Sequence, residues 1–282
     1  MIRAALALLF AVCAPALVLL HRDDIFGFLL KGLGITDRSD STLDTWFRIA
    51  IYGSIALLAL IALPVFRVRP RGGKGAGKNL PVALALGAGA VALLLLIAWA
   101  SGIATPADSF LPRVSPALFL TGTLLVVLQV CAEELLFRGI AQPLLVRALG
   151  WMPGVALAAL GFAAVHFAGG WRNPVSLINI FLAGTWFGVL AYRTGGLLAP
   201  LAAHFGYNWT EEMLFGASPN PGHGAFGSIF DLDLSGSAIW GGSVEGLNAS
   251  LVLGLVLLLL IAFSLWHFGE RDAAKREAGA PT

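Results

Sequence analysis

Charged residues and cysteines are scarce in this sequence. Only 12% of its 282 residues are charged, whereas 58% are hydrophobic. Soluble domains typically carry about twice that share of charge, so the composition excludes a large soluble domain and indicates an integral membrane protein. The two cysteines, Cys13 and Cys131, both lie within apolar runs. This position argues against a disulfide framework and favours a packing role for both side chains.

Apolar runs long enough to cross a bilayer recur along the chain, since a helical span needs roughly 20 such residues. They predict an all-α, polytopic membrane protein with about eight transmembrane helices. The predicted spans are 4–20, 46–66, 80–101, 116–138, 151–168, 174–192, 197–215 and 250–268.

Lysine and arginine are unevenly distributed among the loops, and in short loops they favour the cytoplasmic side. The linker "RVRPRGGKGAGK" is basic and free of acidic residues, whereas 216–249 contains no Lys or Arg at all. Placing the linker inside predicts that both termini are cytoplasmic. The first span resembles a signal peptide in composition, but this orientation requires that it be retained. Twelve of the 18 basic residues then lie inside: Arg3, Arg67, Arg69, Arg71, Lys74, Lys78, Arg138, Arg147, Arg193, Arg271, Lys275 and Arg276.

The glycine-rich linker divides the chain. The predicted organisation has four parts: N-terminal spans and the basic cytoplasmic linker over 1–79, a membrane core over 80–215, an external Gly/Ser-rich loop over 216–249, and a last span with a cytoplasmic tail over 250–282. A Gly184/Gly188 pair at GxxxG spacing predicts close helix packing.

Ionisable residues inside predicted spans are costly and mark function by default. The stretch "CAEELLFRGI" contains Glu133, Glu134 and Arg138. Residues four apart share a helix face, whereas adjacent residues diverge by about 100°. We therefore expect Glu134 to pair with Arg138 and to hold the helix in position, while a partner on another helix must satisfy Glu133.

Two later spans carry similar residues at helical spacing. Phe162 and His166 are four apart, as are His204 and Asn208. Each pair alone is more typical of helix packing than of catalysis. Together, a carboxylate, two imidazoles and a carboxamide on three helices exceed what packing needs, and they predict a site in the core of the bundle.

The ordered set of motifs resembles the CAAX-protease and bacteriocin-processing (Abi) family of intramembrane endopeptidases. Its EExxxR, FxxxH and HxxxN motifs match Glu133–Arg138, Phe162–His166 and His204–Asn208. They span roughly 116–215, and no motif covers the first three spans or the segment after 215.

The resemblance implies a glutamic-type protease that needs no metal or cofactor. Glu133 would be the general base that activates water, and His166 would position that water. His204 and Asn208 would stabilise the oxyanion, with Glu134, Arg138 and Phe162 in support. The implied partners are the lipid bilayer and a membrane-associated protein or peptide substrate, with no nucleic acid. The Ala-, Gly- and Leu-rich composition favours a bacterial inner membrane, so a prenylated substrate is not carried over.

Two alternatives remain open. Glu and His are good zinc ligands, so a zinc-dependent intramembrane metalloprotease is the first, although the sequence has no HExxH motif. The second is a non-enzymatic immunity protein or a transporter with a buried proton relay.

Three smaller expectations concern positions along the membrane normal and the external loop. Helix lengths place His166 deeper than Glu133, which predicts either a fifth span that starts later than 151 or strongly tilted helices. The later start is preferred, because Pro153 and Gly154 suit the start of a helix. Glu211 and Glu212 are expected to end the HxxxN helix at the outer surface. The loop 216–249 is either passive or a lid, and its His223, Asp231 and Asp233 give a weak signal for a cation.

Overall fold

Helices form most of the protein, as its apolar periodicity predicts. The computed structural model describes residues 1–73, 75–108, 111, 114–220 and 224–268. The tail basic residues Arg271, Lys275 and Arg276, together with Lys74 and His223, lie outside the described residues. The helices are α1 (Ile2–Leu20), α2 (Arg22–Gly32), α3 (Asp40–Arg48), α4 (Ser54–Val65), α5 (Ala76–Ala100), α6 (Pro116–Glu134), α7 (Gln142–Leu149), α8 (Trp151–Gly169), α9 (Pro174–Thr194), α10 (Leu198–Trp209) and α11 (Leu251–His267).

Every predicted span coincides with a helix, and six helical segments of the described residues are long and apolar enough to cross a membrane. The expected all-α, polytopic membrane fold is therefore confirmed. The predicted number of eight membrane-spanning helices is not reached, because α10 with 12 residues and α11 with 17 residues are shorter than the six spanning helices. A π-helical turn, Thr210–Leu214, extends α10 to the end of its predicted span.

The fourth span is longer than the sequence predicts. A π-helical turn, Leu135–Ala141, carries α6 directly into α7, and Gly150 with a φ of 88° separates α7 from α8. Since α8 begins at Trp151, the prediction that the fifth span starts later is wrong. Measured from the α7–α8 junction, Glu133 lies about 24 Å along its helix and His166 about 22 Å along its own. The extension of the fourth span therefore places both residues at the same level.

The loops gather at two opposite ends of the bundle. At the end that we call the basic end (67–73, 147–151 and 192–198), the backbone N–H groups of Leu197 and Leu198 donate to the carbonyl oxygens of Arg71 and Gly72, at 2.8 and 3.1 Å. The Trp151 ring stacks on Tyr192 there, with centroids 5.4 Å apart.

The opposite end, which we call the loop end (101–108, 215–220 and 224–250), carries a small sheet. Its strands β1 (Ala104–Pro106), β2 (Ala217–Ser218) and β3 (Leu232–Leu234) are ordered β1-β3-β2, with β1 antiparallel and β2 parallel to β3. The carboxylate of Glu245 accepts hydrogen bonds from the backbone N–H groups of Arg172 and Asn173, at 2.9 and 3.0 Å. These contacts fasten the long loop to the start of α9.

Small residues bring the central helices into close contact. A Cβ atom at Gly87 would overlap the carbonyl oxygen of Ala203, and one at Gly206 would lie 2.5 Å from the carbonyl oxygen of Leu84. The backbones of α5 and α10 therefore touch. Gly184 packs in the same way against Ala159 of α8.

Candidate active site

Glu134 is the fully buried centre of a charged network at the end of α6. Its Oε1 atom accepts from Arg138 Nη1 at 2.9 Å and lies 2.9 Å from Nδ1 of His204 on α10. Burying a charge is costly unless it is paired. The second contact was not predicted, because the sequence gives Glu134 only its partner one helical turn away.

Both terminal nitrogens of Arg138 form hydrogen bonds. Its Nη2 donates to the Gly184 carbonyl oxygen on α9 at 2.8 Å, and its guanidinium lies over the Phe162 ring at 4.7 Å. This arginine therefore joins three helices, and through Glu134 it also fixes His204.

Glu133 sits beside this network with one free oxygen. Gln129 Nε2 donates a long 3.5 Å hydrogen bond to Oε1, and Oε2 lies 3.8 Å from His204 Nε2. Within the part of the chain that the structure describes, the buried Oε2 atom has no hydrogen-bond partner. It can therefore accept a proton or a hydrogen bond from a small molecule in the site.

The hydrogen bond made by His166 defines its tautomer. Its Nδ1 lies 2.9 Å from the Phe162 carbonyl oxygen, and a carbonyl only accepts, so Nδ1 carries the hydrogen. In the neutral ring Nε2 is then an acceptor. Phe162 packs against the imidazole, with ring centroids 4.5 Å apart, and fixes its orientation.

His204 lies between two carboxylates. Nδ1 donates to Glu134, and Nε2 is the atom nearest Glu133. The ring stacks on Phe187, with centroids 4.5 Å apart and 18° between planes. Because Nδ1 keeps a hydrogen, Nε2 can donate only when the ring is an imidazolium.

One cavity of about 100 Å³ contacts all four predicted catalytic residues. Asn208 is half-buried and follows His204 by one turn of α10. Phe162 also lines this cavity, and Asn220 and Asn248 extend its wall to the loop end. The structure thus brings together the residues of the three motifs.

A second acidic pair lies at the loop-end wall of the cavity, where the sequence did not predict it. Glu211 and Glu212 are buried, at 3% and 5% exposure, in the π-helical turn after α10, so the expectation that they mark the outer surface is wrong. Glu212 pairs with Arg48 of α3 at 2.9 Å, and Glu211 lines the cavity. Arg48 could have indicated this buried pair, because an arginine within a predicted span requires a carboxylate on another helix.

Among the described residues, no group of three or more His, Cys, Asp or Glu side chains is arranged to hold a metal ion. Asp231 and Asp233 lie in or beside β3, and their proposed companion His223 is not described.

The family comparison bears on the segment that carries these motifs. Residues 115–210 match a family model described as "Rce1-like: Type II CAAX prenyl endopeptidase Rce1-like". Over these residues the chain is similar to the CAAX-protease family. The resemblance predicted from the motifs is confirmed, and it supports a CAAX-type intramembrane protease.

Comparison with other proteins adds one relative of undetermined role. The chain is 29% identical over 174 residues to an "Uncharacterized 24.3 kDa protein" of Escherichia coli, covering 58% of this chain and 79% of that protein. No solved structure matches the chain.

The segment that matches the family model does not enclose the site alone. A second cavity of about 240 Å³ shares Glu133 and His166 with the first. Its far wall is mostly apolar and comes from α1, from Arg22 at the start of α2, and from the helical segment between Phe47 and Ile55. The N-terminal helices, which lie before the matched segment, therefore contribute one side of the site.

Proposed function

We propose that this protein is a glutamic-type intramembrane endopeptidase that hydrolyses a peptide bond of a membrane-associated protein or peptide. The observation that carries the proposal is the unpartnered Oε2 atom of Glu133, a residue that lines the same cavity as His166. Both groups can accept a hydrogen bond, so a single water molecule can donate one hydrogen to each.

This arrangement leaves a lone pair of the water oxygen free for attack. As that oxygen bonds to the carbonyl carbon of the substrate, Glu133 takes the proton and the carbonyl oxygen becomes an oxyanion. The proton then passes from Glu133 to the amide nitrogen, the C–N bond breaks and the amine leaves. A positioned base typically contributes about 100- to 10,000-fold to such a step.

The oxyanion needs donors aimed at the place where its charge develops. Asn208 can donate through its amide, and His204 can donate through Nε2 as an imidazolium. With His204 as an imidazolium, the two positive charges of His204 and Arg138 balance the two carboxylates of Glu133 and Glu134. The network is then neutral, which suits a buried site. The bond from Glu134 to Nδ1 directs Nε2 towards the cavity.

The test compares new protein termini in membranes from cells that express the wild type or Glu133→Gln. Gln has nearly the shape of Glu but cannot take a proton from water. We expect wild-type-specific termini that disappear in Glu133→Gln, although the variant accumulates normally. The matched control is Asp233→Asn, which makes the same change at an exposed strand position and should leave every terminus in place.

The second part of the test uses purified protein and a peptide substrate that contains a cleavage site identified from these termini. Activity should persist after treatment with a strong chelator, because the proposed water is activated by Glu133 alone. Loss with the chelator and recovery only with added zinc would support the metalloprotease alternative. Identical termini in wild type and Glu133→Gln would support a non-enzymatic role.

We further propose that the protein resides in a bacterial inner membrane with both termini cytoplasmic. The charge asymmetry supports this orientation, because the basic linker contacts the α9–α10 turn at one end of the bundle. The Lys- and Arg-free segment gathers at the other end. We retain the four-part division of the chain at 79, 215 and 249 as a proposal on the same grounds.

A further inference from the structure

A separate cavity of about 420 Å³ lies at the basic end of the bundle. Four arginines line it: Arg69 and Arg71 from the linker, Arg138 from the π-helical turn after α6, and Arg147 from α7. None of the described lining residues is Asp or Glu. Small-molecule sites typically have volumes of about 300–1,000 Å³, so the cavity is large enough for a ligand.

The positive charge of this cavity is largely uncompensated. Arg69, Arg71 and Arg147 form no ion pair with any residue that the structure describes. Arg138 is 3% exposed, and its Nε atom has no hydrogen-bond partner among the described residues, although its two Nη atoms are engaged on the side of the active site. A buried donor without a partner points to an acceptor that a ligand supplies.

The backbone holds this arrangement in place. The carbonyl oxygens of Arg71 and Gly72 accept from Leu197 and Leu198, so the linker is fixed against the start of α10. The cavity lies where α7 ends and α8 begins, which is also where Trp151 stacks on Tyr192. Tryptophan and tyrosine are enriched at the level of lipid headgroups.

We propose that this cavity binds a phosphate group supplied by the headgroup of an anionic phospholipid. Guanidinium groups match phosphate oxygens with paired N–H donors, and basic pockets between transmembrane helices at the cytoplasmic side bind phosphorylated headgroups. The acyl chains would lie along the apolar surface of the bundle. The proposed ligand takes no part in the protease chemistry, although Arg138 contacts both this cavity and the active-site network.

The test measures the thermal unfolding of the full-length protein, purified in a neutral detergent, as a short-chain lipid is added. Dihexanoyl phosphatidylglycerol is the anionic probe, and dihexanoyl phosphatidylcholine is its zwitterionic counterpart. We expect a rise in melting temperature that saturates at lower concentrations of phosphatidylglycerol than of phosphatidylcholine. The half-saturating concentration should increase by about fivefold for each of Arg71→Gln and Arg147→Gln, the effect expected per arginine near an anionic headgroup.

Arg38→Gln is the matched control, because Arg38 is exposed and lies outside this cavity. It should behave like the wild type. Arg71→Lys keeps the charge but loses the paired donors, and it should lie between wild type and Arg71→Gln. If either Gln variant unfolds, this Lys variant still provides the comparison.

Adding inorganic phosphate tests whether the cavity binds the phosphate of a lipid headgroup or free phosphate. Stabilisation by phosphatidylglycerol but not by phosphate supports a lipid headgroup. Stabilisation by phosphate alone supports the phosphate chemistry and overturns the lipid source. Equal effects of the two lipids, or a response that neither arginine substitution changes, would overturn the proposal.

Discussion

Glu133 and Glu134 are neighbours in the chain, yet their surroundings differ. Glu134 has no exposed surface and accepts from both Arg138 and His204, whereas Glu133 retains an oxygen without a partner. The i,i+4 spacing predicted the contact with Arg138. It could not predict that one imidazole on α10 lies between both carboxylates, because that contact depends on how distant helices pack.

Removing one member of the inner pair should damage the fold. Glu134→Gln leaves Arg138 as an uncompensated buried charge, and Arg138→Met leaves the buried Glu134 carboxylate with His204 as its remaining partner. Breaking a buried pair in this way costs about 3–5 kcal/mol. We expect a much smaller yield of folded protein from either variant, measured as the monodisperse fraction after detergent extraction.

The matched comparison is Glu133→Gln, one position earlier, which should be extracted like the wild type. If Glu134→Gln accumulated normally and yet lost all turnover, the proposed division of roles between the glutamates would be wrong.

His204 and Asn208 should act on the same substrate oxygen. Losing one oxyanion donor typically lowers kcat by about 100- to 1,000-fold. We expect losses in this range for Asn208→Ala and for His204→Ala. The double variant should lose less than the product of the two effects, because either substitution already disrupts the shared interaction. The measurement is kcat on the peptide identified by terminal analysis. Strictly multiplicative losses would show that the two residues do not act on one oxygen.

Element boundaries show where the sequence was insufficient. The sequence predicts that the fourth span ends at Arg138, because charged residues usually lie at membrane borders. In the structure it is buried in a π-helical turn, and the helix continues to Leu149. The sequence likewise predicts that Glu211 and Glu212 lie at the outer surface, but they are buried in the π-helical turn after α10. The apolar runs predict that a segment is helical and roughly where it lies. Whether a charged residue marks the end of a helix depends on its partner, and that partner can come from a distant part of the chain, as Arg48 does for Glu212.

The link from the long loop to α9 depends on Glu245, and it should respond to pH. Burial raises the pKa of this carboxyl, but the nearby Ser176 side chain and the hydrogen bonds from the backbone N–H groups of Arg172 and Asn173 outweigh that effect, so the pKa lies below its ordinary value of 4.5. A lowered pKa in the folded state stabilises the protein above pH 4.5, and this contribution is lost as the pH falls below that value.

We therefore expect Glu245→Gln to melt at a lower temperature than the wild type at pH 7. The difference should shrink as the pH is lowered from about 5 towards 3, since protonated Glu245 resembles Gln. A difference that stays constant across this range would contradict the proposed role of the ionised carboxylate.

At the scale of the whole molecule, the two ends of the bundle should face opposite sides of the membrane. Val244 at the loop end is 80% exposed, and Arg147 at the basic end is also exposed. In a background with Cys13→Ser and Cys131→Ser, Val244→Cys should react with a membrane-impermeant maleimide on intact cells. Arg147→Cys should react only after lysis. The reverse pattern would invert the proposed orientation.

The contact between α5 and α10 limits how this protein can be divided. The matched family segment begins at residue 115, yet the helix that carries His204 and Asn208 is packed backbone to backbone against α5, through Gly87 and Gly206. A fragment cut at the family boundary would expose the tightest interface of its catalytic helix to lipid. The smallest transplantable unit must therefore begin before α5, and any homologue that shares only the three motifs needs its own substitute for that helix.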